Sequence, residues 1–239
     1  MLRKSSLPGR IFRLSSRLSM VTLAALAATS AHAVTSGLDF SGYGPNPSYP
    51  SFANTDFSNY TAYQSFFSGL TADFTGFTSD NSVTMLDFSN SNYGSAPAFA
   101  VLGYNAINNY ATRMQGFITI TDAGIYTFGT TSDDGSVLYI DGTLVVNNNQ
   151  FQGATRATGT VSLTVGEHTI DIGYYDGGGG EGLLVDWNGP DTSSATDTLP
   201  NSVLAPVPEP AQAATGLGLL ALGAAGVSAY KRRRRQKAA

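Results

Sequence analysis

Between residues 116 and 190, alternating apolar and polar runs are cut by turn residues roughly every ten positions, a spacing that fits short strands and little else. The run 116–121 ends at Asp122-Ala123-Gly124, and 125–130 leads into Asp133-Asp134-Gly135. The runs 137–140 and 143–146 flank Asp141-Gly142, a strong signal for a two-residue hairpin. Val161, Leu163 and Val165 alternate up to the turn Gly166-Glu167, and Ile170, Ile172 and Tyr174 alternate after it. Leu183, Val185 and Trp187 share one face of a last strand, which Asn188-Gly189-Pro190 stops. Gly, Ser, Thr, Asn and aromatic residues dominate this region, as strands and tight turns favour. The expected fold is all-β: an antiparallel β-sandwich or barrel.

Residues 34–115 are less regular. The aromatic pieces 60–67, 83–88 and 99–104 read as early strands of the same domain, which then runs from 34 to 191. Residues 192–206, rich in Ser, Thr, Asp and Pro, read as a flexible stalk. The chain has no cysteine, so no disulfide framework supports the domain.

Charge divides the chain into three blocks. Residues 1–33 carry five basic residues and no acid, and the last block ends in Lys231-Arg232-Arg233-Arg234-Arg235. Between them, residues 34–206 hold sixteen acids against two bases, Arg113 and Arg156. A surface of that sign repels phosphate backbones, which argues against nucleic acid as a partner, and attracts divalent cations.

Within that acidic block, Asp133 and Asp134 stand side by side in a turn. Neighbouring residues of an extended strand point to opposite faces, so both can grip one ion only if the backbone bends sharply between them. Adjacent carboxylates also repel unless a cation or a proton intervenes. The segment is either an acidic turn or an oxygen-donor site for a hard cation such as calcium.

The two ends read as addresses. Basic residues, an apolar run from Met20 to Ala28 and Ala31-His32-Ala33 have the order of a secretory signal peptide cut after Ala33. Residues 211–230 as a helix would reach about 30 Å, one bilayer core, with the following basic cluster left on the cytoplasmic side. Val207-Pro208-Glu209-Pro210, that apolar stretch and the Arg-rich end, over 207–236, resemble the PEP-CTERM sorting signal of bacteria. The resemblance implies recognition of Pro208, Glu209 and Pro210 by a membrane exosortase, transient membrane insertion, and delivery to the cell envelope or an exopolysaccharide matrix. A permanent single-span anchor is the plainer alternative.

The succession Gly124-Ile125-Tyr126-Thr127-Phe128, Ser132-Asp133-Asp134-Gly135-Ser136, Leu138-Tyr139-Ile140-Asp141-Gly142, Tyr174-Tyr175 and Trp187 resembles the PA-14 domain family, a β-sandwich found in adhesins, glycosidases and toxins. In its carbohydrate-binding members, two consecutive Asp joined by a cis peptide hold a calcium ion that in turn binds sugar hydroxyls. The resemblance places Asp133 and Asp134 in that role. It adds a late loop, here Asp176-Gly177-Gly178-Gly179-Gly180-Glu181, with Asp176 as a further ligand and Glu181 as a weaker one. The loop lacks the Asn that the adhesins often carry there. The implied function is calcium-dependent binding of glycan or exopolysaccharide; the alternative is a structural matrix protein that binds no sugar.

The remaining polar residues weigh against catalysis. The only histidine of the middle block, His168, shares the parity of Ile170 and Ile172 and reads as a packing or turn-edge residue. With no Cys and no Lys in that block, thiol and Schiff-base chemistry are absent, and so is a zinc site built on several His or Cys. Adjacent carboxylates are poorly placed to flank a glycosidic bond from two sides. The glycine run 177–180 has no following helix or lysine, so it reads as a mobile loop rather than a phosphate cradle. Asn147-Asn148-Asn149-Gln150 reads as a polar loop, with sugar binding as the alternative. Trp187 reads as core, and Tyr43, Tyr49, Tyr60 and Tyr63 are candidates for stacking on sugar rings.

Overall fold

The computed structural model describes residues 36–44 and 57–208. The expected signal peptide, the span 211–230, Glu209 and Pro210 lie outside the described residues, while Pro208 is exposed. No helix among the described residues is long and apolar enough to cross a membrane.

Two antiparallel sheets face one another. The larger runs in the order β2 (Phe74–Phe77), β1 (Asp39–Tyr43), β4 (Tyr110–Ile120), β9 (Gly166–Asp176), β6 (Gly135–Ile140), β7 (Thr143–Asn148), with β12 (Leu204–Ala205) also beside β4. The smaller runs β11 (Asp197–Thr198), β10 (Gly182–Asn188), β5 (Gly124–Asp133), β8 (Thr155–Leu163), with β3 (Asp87–Phe88) also on β10. The architecture is the sandwich expected from the turn spacing.

Alternation along each strand builds the core between the sheets. Met114 and Ile118 of β4, Leu138 and Ile140 of β6, and Ile170 and Ile172 of β9 meet Tyr126 and Phe128 of β5 and Leu183, Val185 and Trp187 of β10. Trp187 is 3% exposed, and its ring lies stacked 5.8 Å from Tyr126, so it is a core residue as its strand parity implied.

The opposite face of the larger sheet is also covered, and this corrects the reading of 60–67. Those residues form a helix, α1 (Tyr60–Ser68), not a strand. Asn59 caps it, its side-chain oxygen accepting the Thr61 N–H at 2.8 Å. Tyr60, Tyr63 and Phe67 recur at helical spacing and pack with Val137 and Tyr139 of β6. Aromatic content favoured a strand, but period and cap favoured a helix. Both faces of β6 are therefore buried, which is why it reads as a continuous apolar run. Tyr43 and Tyr63, offered as sugar-stacking residues, are buried in this second core.

Asp171 of β9 pins the helix. It takes two bonds from Arg113, at 3.1 and 2.6 Å, and accepts the hydroxyls of Tyr63 at 2.7 Å and Tyr60 at 3.0 Å. Gln115 Nε2 adds a bond at 3.3 Å, and five donors on one buried carboxylate satisfy a charge that would otherwise be costly to bury.

Two further expectations need correction. The piece 99–104 contains a single 3-10 turn, Ala100–Leu102, and of 83–88 only β3 is extended in a sheet. The expected stalk 192–206 is part of the sandwich. Leu199 and Leu204 are 0% and 2% exposed, β11 pairs with β10, and β12 pairs with β4 at Phe117 and Ile118. Asn201, also buried, donates to the carbonyls of Thr78 and Val83 and accepts the Thr78 hydroxyl. Polar composition suggested solvent, yet the two leucines and one fully bonded asparagine are enough to dock the segment.

Candidate cation and ligand site

At one end of the sandwich β5 ends at Asp133, β9 ends at Asp176, and β10 begins at Gly182, so three strand ends converge. Register brings them together: Asp133 stands opposite Gly182, and Asp176 opposite Tyr110. The Asp133–Asp134 peptide is cis. The buried hydroxyl of Tyr174 donates to the Asp133 carbonyl at 2.5 Å and accepts the Gly182 N–H at 3.1 Å, locking the turn to β10.

Asp134, 2% exposed, is held by backbone amides. Gln152 N–H donates to its Oδ1 at 2.9 Å and Gly177 N–H to its Oδ2 at 2.8 Å. Glu181, also 2% exposed, turns inward; one of its oxygens accepts the Tyr110 hydroxyl at 2.5 Å and the Ala98 N–H at 3.2 Å. Asp133 is only half-buried. Asp176 differs from the rest: it is fully buried, and neither of its carboxylate oxygens is in a well-formed hydrogen bond, the Gly178 amide lying only near enough to pull weakly on it.

Burial raises all four carboxyls, and neighbouring acids add to it at Asp176 and Asp133. Burial, and then the charges of Glu181 and Asp134, push the Asp176 carboxyl up to about 7. Asp133 is raised by burial and by Asp134, while Asp134 and Glu181 are raised by burial against the pull of the N–H and O–H groups bonded to them. Among the described residues no uncommitted counter-charge offsets them. The two arginines of the described residues are committed to Asp171 and Asp186, and His168 is paired with Asp141 at 2.6 Å.

This arrangement fits a hard dication in charge and in donor type. An unpartnered buried carboxylate among three others, without an uncommitted base, is an oxygen-rich and electrically unbalanced hollow. Among the described residues, however, no three carboxylates stand close enough to form a ready-made metal cluster. A cation here would take Asp133, Asp134 and Asp176 with backbone oxygens of the loops, while Glu181 is already engaged by Tyr110 and Ala98.

Packing and backbone conformation both call for glycine in the run 177–180. A Cβ at Gly177 would lie 2.5 Å from the Phe151 ring, and one at Gly180 would lie 2.5 Å from the Tyr93 carbonyl and 2.7 Å from Asp133 Oδ2. Gly178 and Gly179 have φ of 138° and 110°, open to glycine and strained for other residues. Three rim residues escaped the sequence reading: Tyr93, Asn108 and Phe151. Asn108 accepts the Gly179 N–H at 3.3 Å, and Phe151 is 67% exposed beside the amides that hold Asp134. The exposure of Phe151 carries no periodic signal; only its place after the run 147–150 could have marked it. In that run, Asn148 is buried and donates to the Thr155 carbonyl at 2.8 Å, which makes it a strut between β7 and β8.

Comparison with known proteins supports the fold. A search of curated sequences gave no match. An anti-sigma factor domain-containing protein is 23% identical with a TM-score of 0.53; the match covers 74% of this chain and 49% of that one, so this chain spans about half its length. A PA14 sugar-binding domain from an RTX adhesin is 22% identical with a TM-score of 0.54, covering 72% of this chain and 99% of that one. The epithelial adhesin 6 A domain of Candida glabrata, solved with Galβ1-3GlcNAc, is 12% identical with a TM-score of 0.52, covering 72% and 87%. Residues 68–199, more than half of the chain, match the PA14 domain family. With that match and a two-sheet sandwich whose Asp133-Asp134 turn closes one end, the chain belongs to the PA14 domain family.

Proposed function

We propose that this protein is a secreted, non-catalytic carbohydrate-binding module that holds its glycan through a calcium ion bound at Asp133, Asp134 and Asp176. The observation that carries this reading is the buried Asp176 carboxylate, unpartnered amid Asp133, Asp134 and Glu181. Calcium supplies the missing positive charge and, with coordination positions left over, accepts sugar hydroxyls. Family members of known structure include a sugar-binding adhesin domain and an adhesin domain in complex with a disaccharide, which supports the ligand class.

The non-catalytic reading has its own support. His168 lies at the far end of β9 from Asp176 and is tied to Asp141. Asp134 is held by two amides and Glu181 by Tyr110 and Ala98, and the other two acids, Asp133 and Asp176, sit at strand ends on the same end of the sandwich, in one hollow with the turn. The basic and apolar ends of the chain support export and exosortase processing, placing the module in the cell envelope or an extracellular matrix.

Calorimetric titration of calcium into the chain beginning at Val34, beside an Asp133→Asn/Asp134→Asn variant, tests the cation. Saturable binding that the variant abolishes supports the site. Its absence in the folded parent would return the turn to a structural role and favour a matrix protein that binds no sugar. A glycan array with calcium and with chelator then tests the ligand.

A further inference from the structure

Resting on the calcium–glycan reading, the rim adds a statement about which glycan. Phe151 is 67% exposed, unusual for a large aromatic residue in a domain whose other rings mostly lie in the core. Its ring lies so close to Gly177 that a Cβ there would approach it to 2.5 Å. The next residue, Gln152, and Gly177 both donate their amides to Asp134. The ring is therefore fixed against the backbone that holds one of the cation ligands. It offers an apolar face beside a polar hollow, the combination that takes a pyranose: hydroxyls toward the ion, C–H face toward the ring.

Charge narrows the class further. Even if only Asp133, Asp134 and Glu181 are counted, a bound dication leaves the site negative. Among the described residues the two arginines are both in ion pairs, Arg113 with Asp171 and Arg156 with Asp186. Arg156 is the nearer, opposite Thr131 and two residues before Asp133 in the pairing of β5 with β8, but both its Nε and one terminal nitrogen are taken by Asp186. Among the described residues no basic side chain is thus left uncommitted to receive a uronate or sulfate group, and the surrounding acids repel one.

We propose that the site selects uncharged pyranoses stacked on Phe151 and rejects their acidic counterparts. The test measures binding of neutral and acidic oligosaccharides matched in linkage and configuration, galactose against galacturonate oligomers and glucose against glucuronate oligomers, with calcium present. The chain beginning at Val34 serves as parent, beside Phe151→Leu and Phe151→Trp variants. The expected result is at least tenfold tighter binding of the neutral partner, loss of about tenfold in the leucine variant, and retained or tighter binding in the tryptophan variant. Protons on the stacked sugar face shift upfield in NMR spectra with the parent and not with the leucine variant. Because the ring is largely exposed, the melting temperature of the leucine variant stays close to that of the parent, separating lost stacking from misfolding. Equal or tighter binding of the acidic partner, or full affinity and unchanged sugar shifts in the leucine variant, overturns the proposal while leaving calcium–glycan binding intact. Binding of calcium without any glycan overturns both.

Discussion

The Gly177 amide donates to Asp134 Oδ2 across 2.8 Å, joining the Asp133-Asp134 turn to the late glycine loop forty-three positions along the chain. With the Gln152 amide on the other oxygen, Asp134 ties three loops into one frame. Asp134 thus has a structural task whether or not an ion is present. Asp134→Ala should lower stability by about 1–3 kcal/mol, since two amides lose a charged acceptor. Urea denaturation in chelator measures this without any contribution from calcium.

Asp176 should behave in the opposite way. The fold raises its carboxyl to about 7, so in the absence of cation the protonated form is favoured. The penalty is absent below about pH 4, the ordinary carboxylate range, and grows as pH rises toward 7. Asp176→Asn should therefore stabilise the chelated protein at pH 8, by on the order of 1–3 kcal/mol, and leave it little changed at pH 4. The same variant should weaken calcium binding. Melting curves at the two pH values, with chelator and with calcium, distinguish these effects.

His168 and Asp141 supply a second pH dependence of the reverse sign. Burial alone would lower the His168 pKa, but its bond to Asp141 and the Thr164 carbonyl raise it; burial would raise Asp141, and the His168 and Thr169 bonds lower it. The histidine contribution is fully present below about pH 6.5 and is lost as pH rises through its raised value; the aspartate contribution holds above about pH 4 and is lost below it. His168→Gln should then cost more at pH 5.5 than at pH 9. The difference stays under about 1 kcal/mol because Asp141 is half exposed to solvent. Denaturant midpoints at the two pH values measure it.

Arg113 holds α1 to the sheet through Asp171. Its side chain is 11% exposed and that of Asp171 is 4% exposed, so Arg113→Met leaves a buried carboxylate without its ion-pair partner. The expected loss is about 3–5 kcal/mol. Hydrogen exchange should show α1 opening before the strands.

Leu199→Ala should cost about 2–5 kcal/mol, the loss of a buried leucine side chain, where a residue on a free stalk would cost almost nothing. Leu204→Ala should behave alike. Thermal unfolding of both variants checks that 192–206 belongs to the folded unit.

Much of this was legible before any coordinates. Val161, Leu163, Ile170, Ile172, Leu183 and Val185 declared their strands because one face of each is buried, and burial on one face writes a period of two. Asp141-Gly142 declared its hairpin; both residues have positive φ, 49° and 72°, as a type I′ turn requires. The start of β4 at Tyr110 went unread, since Tyr110, Ala111 and Thr112 are all buried and write no alternation. Tyr60 to Phe67 misled through aromatic content. Residues 192–206 misled because short bridges need only a few side chains, and polar residues such as Asn201 can be buried when fully bonded. Within the candidate site, Asp133, Asp134 and Asp176 could be marked because their carboxylates sit in the motif itself. Asn108 could not, and Phe151 only by its place after the run 147–150, because what puts them at the rim is the folding of other loops against the glycine run.

The pairing of β12 with β4 has a consequence for how the molecule faces its surroundings. Tyr110, opposite Asp176, marks the ligand end of β4, and Ile118, opposite Leu204, lies eight residues further along. At about 3.4 Å per residue that is a separation of roughly 27 Å, the length of the sandwich. β12 runs antiparallel to β4, back toward Tyr110, and the Val207 N–H is stitched to Asp39 Oδ2 at 3.0 Å; Asp39 stands opposite Gln115, so the last described residues leave the sheet midway along β4, about five residues or roughly 17 Å from Tyr110. Whatever holds the chain by its C-terminal side therefore grips it at the flank of the larger sheet, about half a strand's length from the end where the Asp133-Asp134 turn lies.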